Sequence, residues 1–288
     1  MSKLLNLCVL RCDVESIVRR LILILLFVFF VNGLTAQSYV DFIERIQNYQ
    51  KGVKIKQTGK FPDSIDTTTF NLNNYLQYFD KLKFPVGLSC RYFFVDEELG
   101  GSPILYFKSD SLEMSRYIDR KFWEYIDQNE IDRSKITDEF VNFKKYQILY
   151  GFAANNNARN YIKPEDNEIG YLQYLFFNQF GEQFALKWHS NYGQKSVIPS
   201  DREMKWYYDY YSNNEDFTCS MEDFGKLLKI NLTPIIEMRK DKCVITWYEI
   251  RTHSGIHKKT YVISRLPPFD IKMIEDIELL KINMQIFY

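Results

Sequence analysis

The chain has 288 residues, 46% hydrophobic and 26% charged, values that exclude a disordered chain and suffice for one large core or two packed lobes. Basic and acidic residues number 37 each. Removing residues 1–36 takes away four basic and two acidic side chains, so the remaining body sits near −2 and offers no bulk attraction to nucleic acid.

The first element is an export segment. Arg19-Arg20 precede an unbroken apolar run at 21–31, and Asn32-Gly33-Leu34-Thr35-Ala36-Gln37 follow. A basic start, a short greasy stretch and a small residue at its end make a secretory signal, cleaved here after Ala36. The run is short for a membrane span, which needs ~20 residues. The long region ahead of Arg19 leaves an uncleaved anchor as the alternative. Cys8 and Cys12 lie before the run, so a lipid anchor is not expected.

Beyond it, residues 38–50 carry Phe42, Ile43 and Ile46 at helical spacing, and 71–82 carry Leu72, Tyr75, Leu76 and Phe79 likewise. Strands at 86–95 and 103–108 flank Leu99-Gly100-Gly101-Ser102, a hairpin signal. Asp110 with Glu113 reads as a helix N-terminus ahead of Met114, Phe122 and Ile126, and Thr137 reads as the cap of the next helix. Residues 153–169 are polar and Asn-rich and read as an irregular connector. Strands are expected at 171–177 and 182–189 around Gly181. Ser200 and Ser220 each cap a helix, ahead of 204–211 and of Phe224, Leu227 and Leu228. Then come a meander at 235–238, 244–252 and 256–265, a Pro267-Pro268 stop, and alternation from Leu280 to Tyr288.

Strands arrive as hairpins, not strand–helix–strand crossovers. The fold class is therefore α+β: an antiparallel sheet of hairpins and a meander with several flanking helices, preceded by the signal peptide. The expected organisation is a signal peptide at 1–36, a mainly helical lobe with one hairpin at 37–152, the connector at 153–169, and a sheet-rich lobe at 170–288, together one compact body.

Chemistry-bearing residues are few. A two-residue turn at Ser254-Gly255 sets His253 opposite Ile256 and Thr252 opposite His257, so the rings of His253 and His257 leave opposite faces of the ribbon. No metal-ligand spacing joins them to His189, and neither metal nor cofactor is expected. Cys219 precedes the Ser220 cap, where a helix field favours a thiolate, but it equally suits the packing of that helix. Cys90 and Cys243 complete the cysteines of the body, and spacing selects no disulfide among the three. The acidic runs at 96–98, 165–166 and 222–223 are candidate carboxylate pairs or plain solvated turns. Lys144-Lys145 and Lys258-Lys259 read as solvated pairs.

The densest aromatic patch is Trp206-Tyr207-Tyr208-Asp209-Tyr210-Tyr211. On a helix Trp206 and Tyr210 share one side and Tyr207 and Tyr211 the next. That is more rings than one core stripe uses, so part of them is expected to face solvent or a partner. The expectation is an exported protein, periplasmic or secreted, that binds or builds rather than catalyses and meets a membrane only through its N-terminal segment. The alternatives are a hydrolase using Cys219 with His189, His253 or His257 or using a carboxylate pair, and an envelope protein held by an uncleaved anchor.

Overall fold

Helix α1 (residues 38–52) opens the body, with Phe42, Ile43 and Ile46 all buried as their spacing predicts. The computed structural model describes residues 38–57, 63–97, 100–214, 217–251 and 254–284. The expected signal segment, His253, the Leu99 position of the hairpin turn, and Ile286 and Tyr288 lie outside these.

A small ribbon, β1 (Ile55–Lys56) with β2 (Ser64–Ile65), follows α1. The helix expected at 71–82 is shorter. Asn71 caps α2 (Leu72–Leu76), a 3-10 turn covers Gln77–Phe79, and Leu82 belongs to strand β3 (Leu82–Lys83). The hairpin forms from β4 (Leu88–Glu97) and β5 (Gly100–Ser109), with Glu97 opposite Gly100, so the glycines begin the second strand. Helix α3 (Met114–Gln128) starts at Glu113, not at Asp110. Asp110 instead accepts a hydrogen bond from Ser89 and ties down the end of the hairpin. Thr137 caps α4 (Asp138–Asn155) as expected, accepting from Phe140 N at 3.2 Å. Past α4, Ala158–Asn160 make a 3-10 turn and β6 (Lys163–Pro164) pairs with β3.

The main correction falls on 171–189. Residues 171–177 are not a strand but the middle of α5 (Glu168–Phe180), capped by Asn167, with nine of its thirteen residues buried. A helix enclosed on all sides has no polar stripe, so an apolar run in it mimics a buried strand. Gly181 is its C-cap. The supposed second strand contributes only β7 (Lys187–Trp188), beside β5, because Ala185 and Trp188 take left-handed backbone angles (φ 50° and 40°) that break an extended run. Phe184 and Ala185 are both buried while Trp188 is exposed, so their alternation is lost as well.

Strand β8 (Lys195–Val197) leads to α6 (Asp201–Ser212), capped by Ser200. Then come β9 (Phe217–Thr218) and α7 (Met221–Leu227), capped by Ser220. The meander is β10 (Ile235–Met238), β11 (Lys242–Arg251) and β12 (Gly255–Ser264). The sequence reading left out its continuation, β13 (Ile271–Leu280), an edge strand with two register shifts and a mostly exposed surface. A short β14 (Asn283–Met284) pairs with β9. The principal sheet runs β10-β11-β12-β13, with β8 pairing the far end of β11. Every strand pair is antiparallel, which gives the α+β class its form.

That sheet packs on both faces. Cys243, Ile245, Trp247, Tyr261 and Ile263 point one way, into a cluster with α1, α2 and α5. Tyr248, Ile250, Ile256 and Leu280 point the other way, onto Tyr207 and Tyr211 of α6 and Phe224 of α7. A third, smaller cluster sets Phe93, Val95 and Tyr106 against Ala153 of α4.

Candidate functional site

The ring-bearing helix α6 divides as its spacing requires. Tyr207 and Tyr211 are buried, their rings stacked at 6.3 Å, while Trp206 and Tyr210 are exposed and stacked at 5.4 Å with an 11° interplanar angle. Lys51 lies 5.9 Å from the Trp206 ring centre, so this outer pair is partly roofed from within the chain.

Cys219 is half-buried at the edge of the α6–α7 cluster, its Sγ 3.6 Å from Met221 Sδ. Burial pushes its thiol above the ordinary value, the opposite of activation. His189 is exposed, with the Trp188 ring 4.3 Å from its own. The three cysteines of the body are free thiols.

His257 sits among buried and half-buried charged side chains. Its turn is one residue longer than expected: Arg251 pairs with Gly255, so His257 stands opposite Glu249 rather than Thr252. Gly255 holds φ at +102°, and a Cβ there would sit 1.8 Å from Leu280 O. With that register, Glu249, Arg251, His257 and Lys259 all emerge on the face that carries Trp247 lower down.

Glu249 is the hub. Its Oε1 accepts from Trp247 Nε1 at 2.9 Å and from the Tyr261 hydroxyl at 3.0 Å. Lys259 Nζ lies 2.9 Å from Oε2, a Coulomb contact whose angles fall short of a hydrogen bond. Both residues are almost wholly buried, so Lys259 is no solvated lysine; Lys258 beside it pairs with Glu275. Lys259 also lies 3.7 Å from Asp276 of β13, which takes a 2.7 Å contact from His257 Nδ1. An ionised carboxylate only accepts, so Nδ1 carries the proton, and Nε2 is left buried without a partner. Desolvation works to raise the Asp276 pKa, but His257, Lys259 and Arg251 outweigh it and hold the carboxyl below its usual range.

In each acidic run at least one carboxylate is held in an ion pair. Asp96 holds Lys187 at 2.8 Å together with Asp63, Asp166 holds Arg265 at 2.7 Å, and Asp223 holds Lys226 at 2.6 Å at the start of α7. Lys145 pairs with Asp119, and Lys144 covers the Tyr125 ring at 3.5 Å. A cleft of about 610 Å³ lies beside the start of α1. Its polar wall is internally satisfied, since Gln173 holds Asp80 and the Lys81 backbone at 2.8 Å each and Arg45 covers Tyr78.

The sequence reading singled out His257 but missed Lys195, Glu249, Arg251, Lys259 and Asp276 around it. The available signal was charge inside an otherwise apolar strand, as in Trp247-Tyr248-Glu249-Ile250-Arg251. Among the described residues no group of three or more His, Cys, Asp or Glu is placed to hold a metal, and no helix is long and apolar enough to cross a membrane. Comparison with protein families, with curated proteins and with solved structures finds no match.

Proposed function

We propose that the chain is an exported binding protein of the periplasm or cell exterior, without catalytic activity of its own. Export is supported by the basic, greasy, small-residue order of its first 36 residues. The observation that carries the binding reading is the separation of the candidate nucleophile from the candidate base. Cys219 packs with Tyr248 and Ile250 on one face of the main sheet, whereas His257 leaves the opposite face and is engaged by Asp276. A nucleophile and its base need hydrogen-bond reach of each other.

Two measurements test this. Expressed with its native N-terminus, the purified protein is expected to begin at Gln37; an intact Met1 product in the cytosolic fraction overturns export. Iodoacetamide at neutral pH is expected to label Cys219 more slowly than free cysteine. Faster labelling that disappears in His257→Ala would establish a working pair and overturn the non-catalytic reading.

A further inference from the structure

Lys195 of β8 and Arg251 of β11 stand directly opposite each other in the antiparallel ladder, so both side chains leave the sheet on the same face. Like charges in that relation weaken a strand pair. Both residues are half-buried, where water screens them less than on an open surface. Among the described residues neither has an anion within ion-pair range, because the nearby carboxylates serve other groups. Glu249 is engaged by Trp247, Tyr261 and Lys259, and Asp276 by His257 and Lys259.

Two orphaned polar atoms belong to residues at this end of the ladder. Arg251 Nε is out of water without a hydrogen-bond partner, and so is the Ser254 hydroxyl. The Ser254 backbone N–H donates to Arg251 O at 3.2 Å, which brings the serine back onto the arginine. Burial first, then the Arg251 charge, holds the Lys195 amine below the ordinary lysine value. Glu249 and Asp276 act on these cations only from a distance, so two facing cations and a buried guanidinium N–H lack a direct partner, and such conflicts concentrate where something binds.

We propose that Lys195, Arg251 and Ser254 form a binding site for a phosphate group, either inorganic phosphate or the head of a phosphomonoester. A guanidinium fork, an ammonium point charge and a hydroxyl together supply more donors than a two-oxygen carboxylate uses, and they suit the several oxygens of a phosphate. The anion sits between the two cations and turns their repulsion into attraction. This deepens the binding reading by naming its ligand class.

The test is calorimetric titration and thermal unfolding of the exported chain with sodium phosphate and with phenyl phosphate, against sodium chloride and sodium acetate at equal ionic strength. A saturable rise in Tm is expected with a phosphate and not with chloride or acetate. Arg251→Gln and Lys195→Gln, each at a strand end and each decisive alone, should weaken phosphate binding by about tenfold or more. Without phosphate both variants should melt slightly above the wild type, because the facing charges are gone. Preference for the inorganic ion identifies a free-phosphate site, and preference for phenyl phosphate an ester site. The absence of a saturable rise with either phosphate, an equal rise with chloride or acetate, or a phosphate effect undiminished in either variant overturns the assignment. Release of phenol would instead overturn the non-catalytic reading and leave the site standing, so the two failures are read separately.

Discussion

The same two strands, on the same face, do opposite things along their length. Towards one end of β11 and β12, Cys243, Ile245, Tyr261 and Ile263 are buried against the main core, and Trp247 packs edge-to-face on Phe180 of α5 at 5.6 Å. At Trp247 the face turns polar: Lys259 stands opposite it, with Asp276 beside Lys259 on the next strand, and Glu249, His257, Arg251 and Lys195 lie beyond. The first half is held by contact area and dispersion, which many substitutions erode by degrees. The second is held by the Glu249–Lys259 and His257–Asp276 pairs, and such pairing fails abruptly when one partner is removed. Trp247 is the joint between them, since its ring lies in the core while its N–H serves Glu249.

Substitutions at that joint and at the hub should have the largest effects. Trp247→Ala removes a fully buried indole together with a Glu249 donor and should cost about 3–5 kcal/mol in urea unfolding. Glu249→Leu alone should cost about 3–5 kcal/mol by stranding Lys259 and the Trp247 and Tyr261 donors, whereas the double variant Glu249→Leu with Lys259→Met should recover part of that loss, the part owed to the stranded ammonium. A double variant as unstable as the single one would break the contrast between the halves, because the polar end would then owe its stability to something other than the pair.

Gly255→Ala should cost about 1–3 kcal/mol by unfolding titration, since the turn that sets the register of the polar half needs a positive φ and tolerates no Cβ. A neutral result would mean that this turn does not fix His257 opposite Glu249.

The pH response sharpens the comparison further. The Asp276 carboxyl is held below its unfolded value, so its contribution is present above about pH 4 and is lost as pH falls through the lower folded pKa. Asp276→Asn should therefore lower stability at neutral pH and flatten the acid limb of the stability curve. An acid limb identical to the wild type would show that the carboxylate is not held by its partners. The smallest effect should come from Trp206→Ala on the outer side of α6, within about 0.5 kcal/mol by thermal unfolding. Tyr207→Ala, one residue on but buried, should exceed it clearly.

Much of the scaffold was legible because local chemistry wrote it. Thr137, Ser200 and Ser220 cap the helices they were expected to cap, since a hydroxyl that accepts from a backbone N–H two or three residues on acts within one turn of chain. The grouping of the α6 rings into two sides also followed from spacing, and the structure decided which side faces out. The reading failed where surroundings override local pattern. Nothing in the apolar 171–177 run distinguishes a helix enclosed on every side from an interior strand. Strand β13 escaped because an exposed edge with two register shifts lacks clean alternation. The candidate site was legible only as His257 and an interrupted strand, because its other members come from β8, β11, β12 and β13 and meet only through pairing.

The sequence alone determined the class: hairpin-linked strands with capped helices, behind a leader-like segment. Those features depend on neighbours within a few residues, where hydrogen bonding and periodicity act. The tertiary structure decided which charges are buried together. Glu249, Lys259 and Asp276 look like ordinary strand charges until register and the extra turn residue place them on one face, and electrostatic coupling depends on that distance in space and on exclusion of water.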